Sequence, residues 1–142
     1  VAVETGQAII TALWTRLTTD ATLKSVLGDP ISVYRIMATS EPPFPYFRHR
    51  LVINGDLLDG IHTYYLDLWY YGDGPTTPDS AMDRVKILLH EWTFVTEFDE
   101  ASGFLEWFSG GYIETDAAKV YHYATQWDVR LGATRDITNI VN

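Results

Sequence analysis

From Ile61 to Tyr71 the chain alternates side to side: Tyr64, Leu66, Leu68 and Tyr70 project one way, and Tyr65, Asp67, Trp69 and Tyr71 the other. A period of two specifies a strand, because the same residues wound into a helix would form no coherent apolar stripe. The first set reads as core. The second is aromatic with polar tips, the composition of a surface that meets a partner. Two more stretches share the period. In Tyr46–Ile53, Phe47, His49, Leu51 and Ile53 oppose Tyr46, Arg48 and Arg50. In Val120–Leu131, Tyr121, Tyr123, Trp127, Val129 and Leu131 oppose His122, Gln126, Asp128 and Arg130. Alternation on this scale argues against a doubly wound parallel sheet, whose strands read as continuous apolar runs.

Elsewhere the period becomes helical. Ile9, Leu13 and Leu17, with Ile10 and Trp14, form an apolar stripe, and Leu23, Val26 and Leu27 follow in a short piece capped by Asp20 and stopped by Gly28-Asp29-Pro30. Thr77 as N-cap, Pro78 at the first helical position and Asp79 in the first turn open a third piece. Its stripe is Met82, Val85, Leu88, Leu89 and Trp92, opposite Asp83, Arg84, Lys86 and His90. Further strands are expected at Ile31–Ile36, after which Glu41-Pro42-Pro43-Phe44-Pro45 is a stiff connector, and at Thr93–Phe98, Phe104–Phe108 and Gly111–Glu114. The order helix, strands, helix, strands implies an α+β fold, a mainly antiparallel twisted sheet with two helices packed on one face. Residues 1–131 make a single domain of ordinary size. Residues 132–142 show no period and read as a C-terminal arm.

Composition removes several classes of chemistry. With no Cys, there are no disulfides, thiol nucleophiles or zinc–thiolate sites. A net charge of -9 works against affinity built on many phosphate contacts. No stretch approaches the roughly 18 apolar residues of a membrane span, and no basic start leading into an apolar segment reads as a signal peptide. Gly72-Asp73-Gly74 opens like a dinucleotide fingerprint, but Thr77 stands at the third glycine and Asp73 would repel the pyrophosphate. His90-Glu91 opens like a zincin helix, but Phe94 replaces the second histidine. His49, His62 and His122 all fall on strands, where a metal site would need them to converge across the sheet. Ser109 has Trp107 where a nucleophile elbow needs glycine. No catalytic, cofactor-binding or metal-binding residues, and no cofactor, are therefore expected.

The residues left over suit contacts between proteins. Arg48 and Arg50, with Tyr46 beside them and Arg35 joining from a neighbouring strand, make a basic patch. Tyr65, Trp69 and Tyr71 form the polar-tipped aromatic face. Three loops are docking candidates: Asn54–Gly60 with Leu57 and Leu58, Gly72–Thr76 with Asp73, and Asp99–Gly103 with Asp99 and Glu100. In the arm, Ile137, Ile140 and Val141 are apolar and call for a neighbouring subunit or tube to pack on.

The succession of segments is specific enough to compare. An N-terminal helix precedes Asp-x-x-Leu-x-x-x-Leu-Gly, here Asp20 to Gly28. There follow a strand, the Pro-Tyr strand entry Pro43-Phe44-Pro45-Tyr46-Phe47, a long aromatic strand through Trp69, and a Gly-Asp-Gly turn into the helix Ser80–His90. From residue 8 to about 131 this resembles the tail-terminator family of long-tailed bacteriophages, also called tail-completion or tail-to-head joining proteins. The resemblance implies a virion subunit, not an enzyme, assembled in the host cytoplasm into a hexameric ring at the head–tail junction. Such a ring caps the tail tube, stops its polymerisation and joins it to the head connector. Its partners would be copies of itself, the tube protein and a head-completion or connector protein. Genomic DNA would pass through without specific binding, and no membrane is involved. Two alternatives stand beside it: another ring-forming neck or tube subunit of a phage or contractile-type system, and a small-ligand-binding α+β domain.

Overall fold

The computed structural model describes residues 2–35, 42–55, 60–95 and 102–131. Within them lie helices α1 (Ala2–Thr18), α2 (Ala21–Leu27) and α3 (Thr76–Leu89). The strands are β1 (Val33–Arg35), β2 (Tyr46–Val52), β3 (Gly60–Tyr71), β4 (Thr93–Val95), β5 (Ser102–Ile113) and β6 (Val120–Leu131). The strands make one sheet in the order β1-β2-β3-β6-β5-β4. Only β1 and β2 run parallel; every other neighbouring pair is antiparallel. The expected α+β fold holds, with the short α2 packed on α3. None of the described helices is long and apolar enough to cross a membrane.

Alternation places the core. Phe47, Tyr64, Leu66, Leu68, Leu105, Trp127 and Val129 are buried on the face that receives the helices. Against them pack Ile9, Leu13 and Leu17 of α1, Leu23 of α2, and Met82, Val85 and Leu89 of α3. Trp14, expected in the α1 stripe, lies outside it and is 46% exposed. Asp20 caps α2, as expected, by accepting from the Leu23 N–H at 2.9 Å. The same carboxylate takes two hydrogen bonds from Arg84 of α3, at 3.0 and 2.7 Å, which fixes α2 against α3. Those hydrogen bonds hold the Asp20 pKa below the usual carboxylate range.

Several expectations need correction. Helix α3 starts at Thr76, with Pro75 rather than Thr77 in the capping position and no side-chain cap. Pro78 thus falls within the first turn, where a missing N–H costs nothing. Phe104–Phe108 and Gly111–Glu114 are not two strands but parts of β5, which runs unbroken through Gly110-Gly111 with a bulge between Trp107 and Ser109. The Trp107 ring lies over Gly110, where a Cβ would come within 2.4 Å of it, so the indole supplies the packing that glycine lacks. Gly103 is required for a different reason: its Cβ would sit 1.9 Å from the Arg130 carbonyl oxygen on the paired strand.

Candidate assembly surface

The sheet face opposite the helices carries the residues that the sequence marks for contacts. Strand pairing sets them in rows across β2, β3 and β6: Tyr46, Trp69 and His122; Arg48, Asp67 and Ala124; Arg50, Tyr65 and Gln126. Trp69 stacks on His122 with ring centres 3.9 Å apart. The His122 Nε2 lies 3.0 Å from Asp67 Oδ2. Arg50 sits over the Tyr65 ring at 4.2 Å. Toward the other end of the same face, Arg130 pairs with Glu106. Asp67, Arg50, Arg130 and Glu106 thus each have a partner on this face, while its aromatic end is left for contact. There Tyr71 is more than half exposed and approaches Phe44. The Trp69 indole N–H is buried and finds no acceptor among the described residues.

Arg48, Arg50, Tyr65, Trp69 and Tyr71 therefore do share one face. Arg35 does not join them. Its register opposite His49 puts it on the helix side, where it donates to Gln7 Oε1 of α1 at 2.5 Å. The three strand histidines do not converge either: His49 and His62 are buried on the core side, and His122 lies on the open face. Among the described residues no group of three His, Cys, Asp or Glu stands close enough to hold a metal. His90 has a structural role, since its Nδ1 accepts the Trp107 backbone N–H at 3.0 Å and ties the end of α3 to β5. Asp73, in the turn after β3, pairs with Lys119 at 2.9 Å in solvent. Leu57, Leu58, Asp99, Glu100, Ile137, Ile140 and Val141, with the whole arm 132–142, lie outside the described residues.

Sequence reasoning missed a second surface. Strand β4 pairs with β5 only from Ser102 to Phe104, and His90 bridges to Leu105. Beyond that point no described strand covers the outer edge of β5, although Phe108, Tyr112 and Ile113 are among the most exposed large apolar side chains. Tyr112 turns back to donate to Asp79 of α3 at 2.5 Å. Its phenol is pushed well above the ordinary range, first by burial and then by this carboxylate. Pro75 and Asp79, with Tyr112–Thr115 and Val120–His122, line an open groove beside the turn of the β5–β6 hairpin. Its floor is apolar and its two charges, Asp79 and Glu114, are acidic.

No protein-family model matches the sequence, and no curated protein matches it. A solved structure does match. A chain from the "Virion of native gene transfer agent (GTA) particle" superposes with a TM-score of 0.72 at 17% identity, over 88% of this chain and 95% of that one. At that identity the likeness is one of fold, and it extends over nearly the whole of both chains.

Proposed function

We propose that this chain is a structural subunit of a phage-like particle, and more narrowly that it forms the ring closing the head-proximal end of the tail tube. The observation that carries the reading is the fold shared, almost end to end, with a chain of the gene transfer agent virion. The segment pattern from residue 8 to about 131 supports the finer assignment to the tail terminus. In this reading the subunit stops tube polymerisation, meets the tube protein on one side and a head connector on the other, and works by contact rather than catalysis. Its surfaces suit that work: an aromatic open face at Tyr65, Trp69 and Tyr71, and an apolar strand edge that no described strand covers. The net charge of -9 offers few cations to DNA moving through a ring.

Another neck or tube subunit would share the fold but stack repeatedly instead of stopping. Adding the purified chain to polymerising tube protein separates the two. A terminator shortens tubes and appears as one ring per tube at one end. A tube subunit would incorporate along the length, and that result would overturn the terminal assignment.

A further inference from the structure

Among the described residues, the outer edge of β5 from Phe108 to Ile113 lacks the devices by which proteins keep strand edges from pairing. Such edges are normally shortened, covered, or blunted with lysine or proline. Phe108-Ser109-Gly110-Gly111-Tyr112-Ile113 contains no charge and no proline. Its bulge lies at the start of the segment, leaving a regular register with β6 from Ser109 to Ile113. The other edge of the sheet is formed by β1, which covers β2 only from Phe47 to His49.

We propose that this β5 edge seats a second copy of the chain, which adds the β1–β2 edge of its own sheet. The inference rests on the ring reading and names the contact that would build the ring. Strand direction favours it. Strand β1 runs with β2, against β3, with β6 and against β5. A neighbour brought round by rotation about an axis along the strands therefore presents β1 antiparallel to β5. Charge favours it as well. The β1–β2 edge carries Arg35 on its helix side and Arg48 and Arg50 on its open side, whereas the β5–β6 hairpin and the groove beside it carry Glu114, Asp116 and Asp79. Two different edges meeting make a head-to-tail contact, the kind that closes into a ring when the rotation permits. The main-chain bonds would supply affinity, and Phe108, Tyr112 and Ile113 would supply apolar area.

The test compares backbone hydrogen exchange of the full chain as a dilute monomer and in its assembled form, alone at high concentration or on tube ends. Residues 108–113 should exchange at least tenfold more slowly in the assembly. A Phe108→Lys/Ile113→Lys variant changes only exposed side chains. It should melt like the parent and lose assembly at least tenfold, while Ile87→Lys, on the outer side of α3, should assemble normally. Rings whose 108–113 segment exchanges as in the monomer would overturn the contact and leave the ring reading standing. Protection already present in the dilute monomer would assign the edge to the chain's own segments and overturn it too. A chain that neither self-associates nor caps tubes would remove both readings.

Discussion

Lowering the pH from 6.5 to 4.5 should destabilise the monomer by about 2 kcal/mol through one residue, His49. Its Nδ1 lies 2.6 Å from the Tyr64 hydroxyl, inside the core. Burial drives the Tyr64 pKa well up, so the phenol keeps its proton, and the hydroxyl shares one hydrogen bond with the neutral imidazole. Burial, reinforced by the charge of Arg35, lowers the His49 pKa from 6.5 to about 4. A lowered folded pKa means that the unfolded chain binds the proton first. The stability is therefore complete above pH 6.5 and is lost as the pH falls toward 4. At about 1.4 kcal/mol per pH unit, the full window is worth about 3 kcal/mol, of which the step from pH 6.5 to 4.5 takes about 2 kcal/mol. Asp20 acts in a lower window, since its carboxylate must be protonated below the ordinary value of 3.8. Urea unfolding of dilute protein, followed by tryptophan fluorescence, should show the midpoint falling by roughly 1–2 M between pH 6.5 and 4.5. His49→Gln should be less stable at pH 7, because the buried phenol loses its partner, yet nearly flat across the window. Tyr64→Phe should keep the slope, since burial and not the hydrogen bond sets the shift. A parent midpoint unchanged over that range, or a His49→Gln slope equal to the parent's, would refute the reasoning.

Asp20→Ala should cost about 1 kcal/mol for the lost cap of α2, plus the tie to Arg84. Asp20→Asn should fall between it and the parent in thermal melts, because the amide oxygen still caps. Gly103→Ala should cost about 3 kcal/mol or more, since the methyl meets strand backbone that cannot rotate away. Circular dichroism should find it unfolded or melting far below the parent, whereas Gly111→Ala, where a Cβ meets nothing within 4 Å, should fold normally.

The parts of the fold that depend on period were legible in the sequence. Strands β2, β3 and β6 and their two faces follow from alternation, because a half-buried sheet demands it wherever one face is core. Asp20 was readable as a cap for the same local reason. What failed depended on partners distant in sequence. Gly110-Gly111 marks a break in any local reading, yet pairing with Thr125 and Ala124 of β6 carries β5 through it, with the Trp107 ring laid over Gly110. Arg35 changed faces because a three-residue parallel pairing sets its register, and neither neighbour is near in sequence. Thr125 sits on the apolar face of β6, where its hydroxyl donates to the Leu66 carbonyl at 2.6 Å and accepts from the Trp127 indole at 2.9 Å. A polar residue with both partners satisfied leaves no mark on the pattern. The open edge of β5 was invisible, because no local signal says which strand will lie at the side of a sheet. The aromatic face was legible as a surface; which partner each part of it meets is a matter of assembly.

Electron microscopy of the purified chain, alone and mixed with tail tubes, decides whether it closes the tube. Rings of sixfold symmetry should sit one per tube on the head-proximal end, with tubes that no longer lengthen. Tubes left uncapped and still growing in excess protein, or single copies on the tail axis, would contradict the terminal assignment.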